Sequence, residues 1–265
     1  MQKSFETQGP LRVDVSVPAG LVEIEAVPGG EAHVQVDADP EVLERTTIEL
    51  DGDALRVRVR ERNGIFGGLE RGSVQARLRV PESSAVSVST KSADLRTSGW
   101  LENVRMQTAS GDTTADRQRS LSVKSASGDV AAVEVLDDLS VQTASGDVRV
   151  ARVGGKLSVQ GVSGDVHVQE ADGEARVSAV SGDVELECVA GALVKVDAVS
   201  GDVQVGVRRG SLVHVDASTL SGDTRSELEL DDAPASSEDG PAVELRIRTV
   251  SGDISVVRAA TTTAP

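Results

Sequence analysis

Eight Ser-Gly-Asp tripeptides recur along the chain, and their carboxylates are the first residues that could do chemistry: Asp112, Asp129, Asp147, Asp165, Asp183, Asp202, Asp223 and Asp253. If the copies stack as β-strands do, the carboxylates lie about 4.8 Å apart and repel one another unless hydrogen-bonded or bridged by cations. Two readings fit that column. One is a ladder of weak Ca²⁺ sites made of hard oxygen ligands, drawn from Asp129, Asp147, Asp165, Asp183 and Asp202. The other is turn chemistry, with Gly supplying a positive φ and the Ser and Asp side chains bonding nearby backbone amides.

The remaining reactive residues form no obvious constellation. His33, His167 and His214 each stand between apolar neighbours. On a strand they would therefore point outward, on units far apart, whereas a zinc site needs convergent ligands. Cys188 is the single cysteine and has no histidine beside it in sequence, so neither a disulfide nor a thiol nucleophile is indicated. No Gly-x-Ser-x-Gly elbow and no phosphate-binding glycine loop occurs. The sequence thus assigns no catalytic residue, no cofactor and no firm metal ligand.

Behind the tripeptides stands a repeat. A degenerate copy, Ser92-Ala93-Asp94, precedes motifs that begin at Ser110, Ser127, Ser145, Ser163, Ser181, Ser200, Ser221 and Ser251. The spacing is nearly constant and lengthens only toward the C-terminus. Six and four residues before each Ser the chain is apolar in every copy, as at Leu139/Val141 and Leu157/Val159. One and three residues after each Asp, 14 of 18 positions are apolar; the exceptions are Thr97, Thr113, Thr224 and Ser226. Apolar residues two apart, separated by polar ones, have the strand period. Each unit therefore holds two short strands joined by a turn such as Gly154-Gly155, and stacked units form a parallel β-solenoid of about 18 residues per rung. Nine rungs span about 40 Å.

Two other solenoids of the same period fit less well. A left-handed hexapeptide helix needs an aliphatic every sixth residue, yet six on from Val150 stands Lys156. A calcium-binding roll needs its Gly- and Asp-containing motif in both half-turns. Here the second half-turn carries Asp172-Gly173 or Ala190-Gly191 without a matching Asp.

Residues 1–85 are strand-like but irregular and predict a β cap with degenerate first rungs, since a solenoid end otherwise exposes an unpaired edge. Gly20 imitates a rung turn, and Asp51-Gly52 predicts a hairpin. Residues 86–258 make the solenoid, and 259–265 a disordered tail. The acidic stretch Asp231 to Pro241 reads as a surface loop. Asn63 to Leu69, rich in Gly and carrying Ile65, Phe66 and Leu69, is either a sticky tip for a partner or a loop folded under the cap. Trp100 falls where other rungs carry Val135 or Val153 and is expected to fill interior space.

These motifs resemble a known family. The Ser-Gly-Asp-Val rungs, the stretch Val205-Gly-Val-Arg-Arg-Gly-Ser-Leu-Val-His-Val-Asp216 with Thr219-Leu-Ser-Gly-Asp223, and the closing Val243 to Ile254 are similar to the bacterial β-strand-repeat family of unknown function that carries the Toastrack domain and includes candidate adhesins. The similarity runs from Leu11 to about Arg258. It implies a non-enzymatic parallel β-solenoid linked to cell-envelope stress proteins or surface adhesion, and it brings no catalytic residues to carry over. Some relatives carry membrane segments, and this chain shows none.

Composition sharpens the partner question. Of 265 residues, 27 are Lys or Arg and 43 Asp or Glu, a net charge of −16, and only three are aromatic. That balance argues against a nucleic-acid or anionic membrane partner. With no apolar core for a signal peptide, no membrane-length apolar run and one cysteine, a cytoplasmic location is expected. The outward columns of the second strand nevertheless hold no acid at 12 positions over residues 86–178. Arg105, Gln107, Lys124, Gln142, Gln160 and Arg176 lie on this face, which reads either as a docking face for a protein partner or as a solvated sheet face that avoids like-charge stacking. The expected function is a non-catalytic, adhesin-like scaffold that engages a protein partner or, through its solenoid ends, itself. The alternative is a carbohydrate-binding or carbohydrate-cleaving β-helix. That reading lacks aromatic platforms and an isolated carboxylate pair.

Overall fold

A computed structural model describes residues 1–60, 73–228 and 242–260. The fold is all-β: a parallel solenoid with two short strands per rung and an irregular N-terminal β region as its cap. Two compact units divide the chain, Met1–Glu134 and Val135–Pro265. The sequence segments expected as loops at 63–69 and 231–241 lie outside the described residues, as do residues 261–265 of the expected tail. Ala259 is buried and donates its amide to the Val207 carbonyl at 2.9 Å.

The first unit contains β1 (Gln2–Glu6), β2 (Arg12–Val27), β3 (Glu31–Asp37), the one-turn helix α1 (Pro40–Leu43), β4 (Thr46–Asp51), β5 (Ala54–Val59), β6 (Val74–Pro81), β7 (Ala85–Ser110), β8 (Thr113–Ser127) and β9 (Val130–Val135). β2 is a complete rung. Its alternating residues Val13, Val15, Val17, Val22, Ile24 and Ala26 are buried, and Gly20 turns its corner at φ +124°. β7 stacks on β2 in parallel register, Val13 beside Val86 and Val22 beside Leu95, and β8 stacks on β7. The chain between β2 and β7 builds the cap. β4 and β5 form the expected antiparallel hairpin about Gly52, while β3 pairs antiparallel with both β1 and β6, and β6 pairs parallel to the second half of β2.

Trp100 departs from expectation. The β7–β8 register shifts between Thr97 and Trp100, with Gly99 at φ +79°. This bulge adds a residue and hands the inward position to Leu101, which is fully buried, while Trp100 is only half-buried. The rung above carries a polar residue at the stacked position: Gln118 pairs with Leu101 in register and is fully buried. Neither atom of its side-chain amide has a hydrogen-bond partner among the described residues, and the same holds for the buried hydroxyls of Thr97 and Thr113.

The second unit contains β10 (Leu139–Ser145), β11 (Val148–Val153), β12 (Leu157–Ser163), β13 (Val166–Ala171), β14 (Ala175–Ser181), β15 (Val184–Val189), β16 (Leu193–Ser200), β17 (Val203–Val207), β18 (Leu212–Ser221), β19 (Thr224–Ser226), β20 (Ala242–Ser251) and β21 (Ile254–Arg258). The described pairings among them are all parallel. In one representative rung the inward side chains are Val148, Val150, Val153, Leu157 and Val159, each at most 2% exposed. Five aliphatic side chains fill the section, which leaves no room for rings and accounts for their scarcity.

Stacking does not follow chain order at the C-terminal end. β20 lies between β16 and β18, and β21 between β17 and β19. The last rung is therefore inserted, and the rung of β18 and β19 stands outside it. Residue chemistry explains the choice. The inserted rung offers Val243, Leu245, Ile247, Ile254 and Val256, all buried. The outer rung carries Thr224 and Ser226 at positions that are aliphatic in the other rungs of the second unit, both exposed, and its Val213, Val215 and Ala217 are only half-buried. The more polar rung takes the position in contact with water, as terminal repeats do.

Candidate functional site

The Ser-Gly-Asp corner has one recurring geometry. In the second unit the Asp165 amide donates to Asp147 Oδ1 at 3.0 Å, Asp183 to Asp165 at 2.9 Å and Asp202 to Asp183 at 2.8 Å. The column continues in the order of stacking, with Asp253 donating to Asp202 and Asp223 to Asp253, each at 2.8 Å. In the first unit Asp112 donates to Asp94 and Asp129 to Asp112, each at 2.9 Å. One carboxylate oxygen of each accepting Asp is thus fixed by the amide of the neighbouring rung, which spreads the negative charge onto a backbone dipole. For Asp147 that amide, followed by the Arg149 guanidinium, holds the carboxyl below its ordinary pKa against a smaller opposing effect of burial. The glycines stack so closely that a side chain has no place: a Cβ on Gly182 would lie 2.7 Å from the Gly164 carbonyl carbon, at φ +124°.

The outward face of the second strands holds the residues expected there. Arg105, Gln107 and Lys124 are exposed in the first unit, where Gln107 pairs in register with Lys124. Gln142, Gln160 and Arg176 are exposed in the second, where Gln142 pairs with Gln160, and Ser158 with Arg176. Arg176 also reaches Glu174 at 2.5 Å, so part of its charge is neutralised locally.

A third outward column escaped the sequence reading. The residue just before each Ser also faces out, and in the second unit it is apolar throughout. Val162 is 51% exposed, Val180 44%, Val199 46%, Val250 47% and Leu220 87%; Ala144 is exposed as well. The signal was present in the repeat, but an apolar residue beside a turn reads as interior until its direction is known.

His167 is better partnered than its isolation in sequence suggested. Its Nδ1 lies 3.1 Å from Glu185 and its Nε2 2.7 Å from Glu187. Glu185 stacks directly on His167, one rung away, which is how the repeat could have revealed the pair. The ligand atoms of the three lie within 4.8 Å of one another, and among the described residues this is the group that could hold a metal ion. As built, each ring nitrogen faces a different carboxylate, an ion-pair arrangement in which both nitrogens are occupied. His33 bonds Ser4 and Glu31. Cys188 is half-buried and stacks beside Glu170. Next to it Arg208 bridges Glu170 and Asp172 at 2.5 and 2.7 Å, and chiefly the Asp172 carboxylate raises its pKa.

The first unit has a groove of about 650 Å³ across the outer faces of β1, β3, β6, β2 and β7. Glu23 and Glu25 line it in ion pairs with Arg77 and Arg79 at 2.9 and 2.7 Å, and Arg96 stands at one wall.

A family model described as Toastrack DUF4097 matches residues 14–257. No curated protein matches the chain. Among solved structures, a candidate lipid-binding protein from Parabacteroides distasonis is similar at 14% identity and a TM-score of 0.53, covering 97% of this chain and 96% of its own. A candidate adhesin from the same species is similar at 12% identity and a TM-score of 0.52 with the same coverage. A candidate adhesin from Bacteroides fragilis aligns over 97% of this chain and 96% of its own at 11% identity and a TM-score of 0.49. No helix among the described residues is long and apolar enough to cross a membrane.

Proposed function

The chain belongs to the Toastrack DUF4097 family, and from that premise we propose that it is a non-catalytic, adhesin-like scaffold whose outward sheet face docks a protein partner. One observation carries this reading. On a chain of net charge −16, the outward face of each unit presents cations and amides, Arg105, Gln107 and Lys124 in the first and Gln142, Gln160 and Arg176 in the second, and in the second unit an exposed apolar column runs beside them. Apolar surface rimmed by polar groups is the usual signature of a protein contact. The structural neighbours described as candidate adhesins support the same class of role.

The test is charge reversal on the face. Arg105→Glu, Lys124→Glu and Arg176→Glu together should abolish co-purification of the partner while leaving the unfolding midpoint unchanged, because all three side chains are exposed. An intact complex would refute the reading. The carbohydrate alternative has the groove in the first unit in its favour. The described lining of that groove contains no Phe, Tyr or Trp, so a glycan-array screen is expected to be blank.

A further inference from the structure

The apolar column of the second unit is continuous in space although scattered in sequence. Register pairs Ser145 with Ser163, Ser163 with Ser181, Ser181 with Ser200, Ser200 with Ser251 and Ser251 with Ser221. The residues just before them therefore line up as Ala144, Val162, Val180, Val199, Val250 and Leu220. At strand spacing this strip is about 24 Å long. Single exposed valines need no explanation, but a contiguous line does. The same position in the first unit holds Lys91, Ala109 and Ala126, so the strip of larger side chains is confined to the second unit.

Its two flanks differ in charge. Four residues to one side lies a column that reads Ser140, Ser158, Arg176, Lys195, Arg246 and, in the outermost rung, Asp216, so three successive rungs of six carry a cation. These cations pair with half-buried local acids, Glu174, Asp197 and Glu244, in surface pairs weak enough to exchange. Three residues to the other side lies the Asp column. There Asp165, Asp183, Asp202 and Asp253, all exposed, each accept a backbone amide on one oxygen.

A stripe ordered cation, apolar, carboxylate is complementary to itself under one operation. A two-fold axis along the strip turns a second copy face to face, lays strip on strip, and sets Arg176, Lys195 and Arg246 over Asp183, Asp202 and Asp253 of the other copy, with Asp216 facing Asp223 only in the outermost rung. A two-fold axis across the strip would stack cations on cations. We infer that the strip is the isologous interface of a homodimer in which the second units run parallel, rung against the same rung. This rests on the scaffold reading and names its partner as a second copy of the chain. The facing area, about 24 by 20 Å, buries about 1,000 Å² over both copies, at the lower limit for a specific contact, so the dimer forms in a concentration-dependent way.

Sedimentation velocity and disulfide trapping test this on the full chain. Wild type should shift from one chain to two as concentration rises, and Val180→Lys with Val199→Lys should keep it monomeric. In a Cys188→Ser background, Val162→Cys and Val250→Cys should each trap a covalent dimer alone, since a parallel two-fold places every residue against its own counterpart. Trapping only when the two variants are mixed would mean an antiparallel contact and overturn the inference, as would a monomer at every concentration. If the chain stays monomeric while the face-reversal variant still loses a different protein, the inference fails and the scaffold reading stands. If the dimer is trapped in parallel and the face-reversal variant keeps its partner, the scaffold face is wrong and the dimer stands.

Discussion

Two glycines three residues apart, Gly161 and Gly164, should respond in opposite ways to the same methyl group. Gly164 turns the rung corner at φ +124°, and a Cβ there would sit 2.6 Å from the Gly146 carbonyl carbon and nearer still to its oxygen. The left-handed conformation alone costs an alanine about 1–2 kcal/mol. Clearing the overlap requires the two rungs to part by about 1 Å, which breaks hydrogen bonds at roughly 1 kcal/mol each. The bonds at risk are the Asp165 amide to Asp147 Oδ1 at 3.0 Å, Val148 to the Asp165 carbonyl at 2.8 Å and Gly146 to the Ser163 carbonyl at 3.1 Å. Gly164→Ala should therefore cost about 4–5 kcal/mol. Gly161 has an ordinary φ and nothing nearer to a Cβ than Thr143 Cγ2 at 3.9 Å. Gly161→Ala restricts the unfolded chain and should stabilise by about 0.4–1 kcal/mol. Urea unfolding followed by far-ultraviolet circular dichroism gives both values. Stacked repeats can unfold in parts, so hydrogen exchange at the Asp165 amide should report the local opening directly. Equal midpoints for the two variants, or slow exchange at Asp165 in Gly164→Ala, would show that rung spacing is not fixed by the corner and refute the reasoning.

The interior and the carboxylate column yield further expectations. Gln118→Leu should raise stability by about 1–3 kcal/mol, because it removes a buried amide that has no hydrogen-bond partner among the described residues and matches Leu101 in the stacked position; a loss in a thermal melt would mean that the amide is satisfied after all. Asp183→Asn keeps an acceptor for the Asp202 amide and should melt at or above wild type, whereas Asp183→Ala leaves that amide unpaired and should cost about 1–3 kcal/mol. If backbone bonding is the column's purpose, Ca²⁺ and EDTA leave the wild-type midpoint where it is; a Ca²⁺-dependent rise lost in both variants would establish the ion ladder instead. Since the Asp165 amide and Arg149 hold Asp147 below its ordinary pKa, its contribution is present above the unfolded-state value of about 3.9 and disappears as pH falls through the lower folded value. Asp147→Asn should flatten that acid limb of the stability curve.

Much of this molecule was legible in one dimension because the repeat is also the physical unit. A regular period of paired aliphatics fixes which side chains face inward at Leu139, Val141, Val148 and Val150, and the Gly of each Ser-Gly-Asp corner is demanded by φ and by close stacking. The sequence also held the clue to its own ending, since Thr224 and Ser226 break the aliphatic rule in the rung that faces water. Tertiary structure alone decided the rest. The period identifies rungs as equivalent without ranking them, so only the pairing of β20 between β16 and β18 shows that the last rung is inserted. A pattern of types carries no direction at a corner, so the outward turn of Val162, Val180 and Val199 had to be seen in three dimensions. A single bulge at Gly99 moved Trp100 out and Leu101 in, because strand facing alternates with every residue and one insertion reverses it. His167 met Glu185 and Glu187 for the complementary reason: neighbours across a ladder are a full repeat apart in sequence and one strand apart in space.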